Sequence, residues 1–493
     1  MEQRSHQIIA HVARWAASTP NRPAVTDRAG TATFGRLWAD AGSCAAVLAG
    51  HRVQEGEVVG LLLPNRGLFV TALLGIARMG AIAVLFPTSL SAGELRRYGE
   101  IAGARLVLAG PSHEALILEA GGRPCPDGAR GLRAFAFTVP PVRGLVPDDC
   151  LVQLTSGADQ PSKLAVRTRR AVWQEIQDFA GEIGLTEHDT TLVLPSISHS
   201  YGLIGGTLAP LCRGGRVILQ DGFDPRTVLQ VVRHERPTIL FAVPVMYREL
   251  VRAPGGEGED LSSLRLCFSA GAPLPQDVDE AFARRFGRRI CENYGSTEAG
   301  VIALRREWAP RLQHSVGRPV RGRTLTIVGP HGQALHPGDV GEVVVRSPAL
   351  ARGYLGEVPA GTAIDGDCFR TGDLGWVDGD GHLFLAGRKS SLIDVAGVTV
   401  DPVAVEAVIA SMPGVQDVAV VGVAHPAGGG RAKAVVVAKG VTAEDVLHYC
   451  RPRLPDTHLP QVVEFRNAIP RTPAGKTLRR LLGETPQHLA AAE

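Results

Sequence analysis

Two short stretches of this 493-residue chain carry side chains suited to gripping a phosphorylated ligand. In LTSGADQPSKLAVRT (154–168), Thr155-Ser156-Gly157 is followed by Lys163, and the stretch lies between an apolar strand-like run and a helix-like one. Hydroxyls, backbone N–H groups freed by a glycine, and a compact ammonium are what phosphate oxygens require. In ENYGSTEAG (292–300), the face of Tyr294 can stack on a base, the hydroxyl of Thr297 can bind a phosphate oxygen, and the carboxylate of Glu298 can ligate Mg²⁺.

Lysine is scarce. Of 52 basic residues, five are lysines (Lys163, Lys389, Lys433, Lys439 and Lys476) and the rest are arginine. With abundant Ala and Gly, this suits a GC-rich bacterial genome in which arginine serves wherever a generic positive charge suffices. The lysines that remain are candidates for specific work, because an ammonium and a planar guanidinium are not interchangeable at a reacting centre.

Elements must position these groups. The length exceeds one ordinary core, so at least two domains are expected. A net charge of +3, with 20% charged residues, gives no reason to expect nucleic acid or an anionic membrane as partner. Eight cysteines are scattered without a C-x-x-C pair or metal spacing and read as buried free thiols. MEQRSHQIIAHVARWAA reads as a surface helix of a cytoplasmic protein rather than a secretory signal. FVTALLGIARMGAIAVLFP (69–87) breaks at Arg78 and Gly80 into a helix and a buried strand, so no membrane span is expected.

Short apolar runs such as VVGLLL, ARLVLA, TTLVLP, GRVILQ and PTILFAVP alternate with helical patterns. They predict an α/β chain whose parallel sheets are flanked by helices. From about residue 315, short alternating strands with Gly-rich turns (RTLTIVG, GEVVVRS, GHLFLAGR) suggest a small barrel or meander, a β-barrel-like subdomain closing the large domain. Beyond Lys389, two helical segments (400–414 and 442–454) and two strands predict a small α+β lobe. The expected domains are thus 1–388 and 389–493.

With these pieces assembled, the chain resembles the adenylate-forming superfamily of acyl- and aryl-CoA synthetases, adenylation domains and luciferases, from about residue 10 to 480. ENYGSTEAG is similar to the family's Y-G-x-T-E element. RTGDLGWVDGDGHLFLAGRK resembles its T-G-D and G-R segments, and IPRTPAGKTLRR its C-terminal P-R-T-x-x-G-K signature. The resemblance implies ATP and Mg²⁺, with Asn293, Tyr294, Gly295 and Ser296 at the nucleotide. It implies Thr297 and Glu298 as catalytic, the latter also as metal ligand. Asp373 and Arg388, with 15-residue spacing, would hold the ribose, and Gly271, Ala272 and Pro273 of SAGAPL would lie beside adenine. Lys476 would reach the α-phosphate and carboxylate on a mobile lid domain. PSISHSYGL resembles the acyl-pocket segment, with His199 catalytic and Ser200 and Tyr201 lining the pocket. Ser200 stands where amino-acid-activating relatives carry aspartate, so a carboxylic acid without an α-ammonium, aryl or aliphatic, is implied.

The chain also departs from the family pattern. Ala158-Asp159-Gln160 replace the Thr-Thr-Gly usual between Ser156-Gly157 and Lys163, a loss of hydroxyl donors that predicts a weaker grip on ATP. Ser390 occupies the hinge normally held by Asp or Lys, and Gly397 stands where the pantetheine arm passes. The implied reaction joins an acid to the thiol of CoA or of a carrier-protein phosphopantetheine, making an acyl carrier protein a second candidate partner. An amine-acceptor ligase and a degenerate nucleotide-binding member are the alternatives.

Overall fold

A computed structural model of the chain describes residues 6–126, 128, 131–140, 142, 144–155, 162–254, 260–356, 364–395, 398–424, 430–471 and 476–483. It divides into two compact units: Met1–Thr155, Ser162–Leu325 and Val345–Phe369 form the first, and Ser156–Pro161, Thr326–Val344 and Arg370–Glu493 the second.

The first unit contains two sheets. In one, the parallel strands Asp149–Leu154, Ile82–Leu85, Val58–Leu62 and Leu106–Ala109 lie side by side, extended by antiparallel strands at both edges. In the other, Ile290–Ser296, Leu266–Ser269, Ile239–Ala242, Thr190–Val193, Arg216–Leu219 and Pro23–Asp27 are all parallel. The central strands, among them Val58–Leu62, Ile82–Leu85 and Ile239–Ala242, are apolar and buried on both faces, as parallel strands between covering helices must be. A single core draws on Leu61 and Leu85 of the first sheet, Val193 and Phe241 of the second, and Leu73, Ile176 and Leu203 of the helices. The expected helix and strand within 69–87 are Gly67–Arg78 and Ile82–Leu85. Helix Gln7–Ser18 buries Ile8, Val12 and Ala16 at helical spacing. No described helix is long and apolar enough to cross a membrane.

In the second unit, strands Cys368–Val377 and Leu383–Arg388 form an antiparallel pair beside Gly341–Arg346. The alternating strands are present, and of the barrel and the meander it is the open arrangement that is seen: among the described residues they follow an open path and close no barrel. Alternation reports one wet and one dry face, and an open sheet has these as well as a closed one. The C-terminal lobe is α+β as expected. Strands Val415–Ala424, Gly430–Ala438 and Val462–Phe465 form its sheet, and helices Pro402–Ala410 and Ala443–Cys450 supply Val405, Ile409, Val446 and Cys450 to its core. Lys433 is buried there against Glu464, 2.6 Å away. By contacts, residues 326–344 and 370–388 group with the C-terminal lobe.

Of the eight cysteines, six are buried, while Cys125 and Cys368 are partly exposed; all are free. Burial pushes the thiols of Cys44, Cys150 and Cys212 up to about 12, so they remain protonated and unreactive.

Candidate active site

Three candidate segments of the first unit follow the carboxyl ends of strands in one parallel sheet. His199 lies beyond Thr190–Val193, Gly271-Ala272-Pro273 beyond Leu266–Ser269, and Thr297-Glu298 directly beyond Ile290–Ser296. Open α/β sheets bind ligands at this edge, where strand ends leave a crevice that loops can line.

The 294–300 turn is tightly specified. Strands Ile290–Ser296 and Gly300–Arg305 pair antiparallel, with a bulge between Tyr294 and Gly295 that redirects the chain. A side chain at Gly300 (φ +65°) would meet the carboxylate of Glu175, so glycine is required there on both conformation and space. The Ser296 hydroxyl accepts from the amide of Ala299 at 3.0 Å. The carbonyl of Thr297 accepts from Arg167 at 2.9 Å, and that of Glu298 from the amide of Ala351 at 2.6 Å. The side chain of Glu298, 9% exposed, accepts from the Tyr354 hydroxyl at 2.8 Å. Asn293 is buried, and Tyr294 and Thr297 are part-exposed.

Beside this turn, the stem of the 154–168 loop is closed by two hydrogen bonds. The Thr155 amide donates to the Lys163 carbonyl at 2.8 Å, and the Lys163 amide to the Thr155 hydroxyl at 3.0 Å. Lys163 Nζ lies 5.3 Å from the centroid of the Tyr354 ring, and strand Gly353–Leu355 pairs with Leu164–Thr168, Tyr354 opposite Ala165. Tyr354 therefore joins the loop lysine to Glu298. Sequence reading missed it, because no motif announces a tyrosine that acts across 56 residues. Ser156 and Gly157, with the departing Ala158-Asp159-Gln160, lie outside the described residues.

On the acyl side, buried Asn65 fixes the approach to His199: its amide donates to the carbonyls of Pro195 (2.8 Å) and Gln220 (3.1 Å) and accepts from the Ile197 amide at 2.9 Å. His199 is part-exposed. The Ser200 hydroxyl donates to Gln153 at 2.8 Å and the Tyr201 hydroxyl to the carbonyl of Ala242 at 3.2 Å, so both are engaged within the protein. Burial raises the Tyr201 phenol well above its ordinary value and keeps it neutral. Tyr201–Leu208 forms a π-helix, a rare element met chiefly at functional sites. In the adenine-side loop, Gly271 has φ +90°, and the Leu274 amide donates to Glu292 at 3.2 Å.

In the second unit, Asp373 and Arg388 stand opposite each other in the strand register, 3.3 Å apart. The Asp373 amide donates to the Thr371 hydroxyl at 3.0 Å, which itself donates to the carbonyl of Val343 at 2.8 Å. Two groups that can face the two hydroxyls of a ribose are thus held as neighbours. Lys389 pairs with Glu342 at 2.9 Å immediately before Ser390, which lies in the short turn Lys389–Ser391. Gly397 lies outside the described residues. Lys476 is part-buried, between stems that are both clamped: Arg471 donates to Asp417 at 2.8 and 3.0 Å, and Arg479 to Glu406 at 2.7 and 3.1 Å.

The donor set fits Mg²⁺, since one nearly buried carboxylate held in orientation by a hydroxyl, completed by substrate phosphates and water, is the usual way that ion is bound. Asp378, Asp380 and His382 also cluster, but Asp378 accepts from the amides of Asp380 and His382, as the residue ordering a hairpin turn does.

The family model described as AMP-binding enzyme matches residues 12–355, and that of the AMP-binding enzyme C-terminal domain matches residues 404–476. A feruloyl-CoA synthase of Amycolatopsis sp is 33% identical over 474 residues, covering 94% of this chain and 96% of the relative. A long-chain-fatty-acid–CoA ligase of Mycobacterium tuberculosis is 31% identical over 468 residues, 92% of each. The o-succinylbenzoate CoA synthetase of Bacillus subtilis, solved in complex with its acyl-adenylate intermediate, superposes with a TM-score of 0.81 at 26% identity, over 97% of this chain and 98% of that one.

Proposed function

The chain belongs to the AMP-binding enzyme family, and from that premise we propose that it is an AMP-forming acid–thiol ligase, joining a carboxylic acid without an α-ammonium to CoA. The observation that carries this reading is the convergence of Lys163, Tyr354 and Glu298 at the carboxyl edge of the first unit's sheets, a cation, a hydroxyl and a carboxylate suited to a Mg²⁺-bound polyphosphate.

In this reading Tyr294 stacks on adenine beside Gly271-Ala272-Pro273, with Asn293, Gly295 and Ser296 contributing to the same wall. Asp373 and Arg388 hold the ribose, while Thr155, Ser156, Gly157 and Lys163 take the outer phosphates. Thr297 orients the α-phosphate. Glu298 would hold Mg²⁺, which neutralises phosphate charge when bound. The acid's carboxylate attacks the α-phosphorus, forming the C–O–P bond as the bond to pyrophosphate breaks, and Lys476 neutralises charge at the α-phosphate. The acid enters beside His199, with Ser200 and Tyr201 behind it. The thiol sulfur then attacks the acyl carbon, AMP departs with the C–O bond electrons, and the thiol proton passes to solvent. Rotation at Ser390 and passage of pantetheine past Gly397 complete the cycle. With 389–493 serving as lid, the relatives named for CoA support CoA as the first acceptor, and a carrier-protein pantetheine is the second.

The test is pyrophosphate release with aryl and aliphatic acids, with and without CoA. CoA-stimulated release and an acyl-CoA product support the reading. Release with an amine product instead assigns a different acceptor. Silence across the panel, with ATP still bound, assigns the nucleotide-binding role without catalysis.

A further inference from the structure

Among the described residues, Arg167 is the largest side chain with essentially no exposure. Burying a guanidinium costs several kcal/mol unless every contact is good, and its position on strand Leu164–Thr168 is one an apolar residue could fill. Its contacts are specific. The guanidinium donates to the Glu175 carboxylate at 2.7 Å, to the carbonyl of Thr297 at 2.9 Å and to the carbonyl of Ala349 at 3.1 Å.

Each acceptor belongs to a different part of the nucleotide site. The strand of Arg167 leaves the phosphate loop directly after Lys163, and Arg167 itself lies four residues along from that lysine. Thr297 precedes Glu298 in the turn, and Ala349 opens the segment that leads to Tyr354, the partner of Glu298. Glu175, on helix Arg169–Glu182, is buried and also fills the space beneath Gly300 on the far side of that turn. One ion pair therefore fixes the spacing between the loop lysine, the carboxylate and the tyrosine that connects them.

We propose that Arg167 and Glu175 form a positioning pair for acyl-adenylate formation, holding the Thr297-Glu298 turn in register with Lys163 so that Mg²⁺ and the polyphosphate are gripped together. This rests on the ligase reading above. The pair touches no substrate; it acts through the Thr297 carbonyl and through Tyr354. A guanidinium suits the task because its planar fork reaches three acceptors at once, which an ammonium cannot do in this geometry.

The test compares the parent, Arg167→Lys, and the double variant Arg167→Met/Glu175→Leu, which removes both buried charges together and leaves none unpaired. Four quantities are measured: the thermal midpoint, pyrophosphate exchange against Mg·ATP, thioester formation from supplied acyl-adenylate, and the ratio of ATP Kd with Mg²⁺ to that with EDTA. The expected result is a midpoint near the parent's for the double variant, adenylation kcat lowered roughly 10- to 100-fold, thiolation within twofold, and loss of the Mg²⁺-dependent gain in ATP affinity. Arg167→Lys should show the same split, and decides the matter if the double variant does not fold. Parental adenylation and a parental Mg²⁺ effect in folded variants would overturn the proposal and leave the pair a purely structural one. A parent silent in exchange would sink the ligase reading instead, and the Kd ratio would still report on the pair.

Discussion

Lys476 follows the 472–475 segment, and the stems on either side are clamped by Arg471 with Asp417 and by Arg479 with Glu406. Replacing it by alanine should slow adenylation by roughly 10²- to 10³-fold, about 3 to 4 kcal/mol of transition-state stabilisation, and leave thiolation of a supplied acyl-adenylate nearly unchanged. An equal fall in both half-reactions would remove the assigned role. Tyr354→Phe deletes one hydroxyl and its bond to the Glu298 carboxylate. Bonds to charged groups are worth roughly 1.5 to 3 kcal/mol, so KM for Mg·ATP should rise about tenfold or more with little change in thermal midpoint. An unchanged KM would mean that the Tyr354 hydroxyl does not set the orientation in which Glu298 serves the nucleotide. The two residues differ in how visible they are from sequence. Lys476 sits in a contiguous signature, whereas Tyr354, Arg167 and Asn65 act on partners 56, 130 and 130 residues away, and nothing local marks them.

Among the elements, the phosphate loop offers the sharpest test. Its stem is closed by Thr155 and Lys163, so changes within it act on the loop's interior rather than its anchorage. The combined change Ala158→Thr, Asp159→Thr and Gln160→Gly should lower KM for ATP, because two hydroxyls return and a carboxylate that repels phosphate is removed, each contact being worth roughly 1 to 3 kcal/mol. Steady-state ATP kinetics at saturating Mg²⁺ checks this; an unchanged or raised KM would show the loop to be adapted to another ligand. The helices and parallel strands were readable because runs such as VVGLLL and the broken 69–87 stretch carry their own period and punctuation. The π-helix Tyr201–Leu208 was not. YGLIGGTL is apolar and glycine-rich on every face, so it has no period to read, and its shape is set by close packing of Gly205 and Gly206 on Phe179, Phe241 and Val193. Alternation likewise leaves barrel and meander open, since it reveals a sheet's faces and says nothing of whether its edges meet.

At the scale of the whole molecule, the two units should respond to pH in opposite senses at two identifiable groups. Burial, with Arg169 nearby, lowers the His6 imidazole from 6.5 to about 4. The unfolded chain therefore takes up a proton first on acidification, and the stability that neutral His6 contributes is lost as pH falls from 6.5 to 4. In the second unit, burial raises Glu406 from 4.5 to about 7 despite Arg479. There the unfolded chain releases its proton first, and stability is lost as pH rises from 4.5 to 7. Scanning calorimetry of the parent against His6→Gln and against Glu406→Gln should reveal the two slopes as differences of opposite sign, each on the order of 1 to 3 kcal/mol. Parallel parent and variant curves would refute the assignments. The near-absence of lysine has a different consequence. A mixed anhydride of an acid with AMP acylates amines, and this chain offers its own product five lysines, one of which, Lys433, is sealed against Glu464. Self-modification of amines is thereby confined to Lys163, Lys389, Lys439, Lys476 and the α-amine. On the proposed reading, an amine-selective label applied with and without ATP should show protection at the peptides bearing Lys163 and Lys476, with Lys389, Lys439 and the α-amine as internal controls; equal labelling in both conditions would remove those two lysines from the nucleotide.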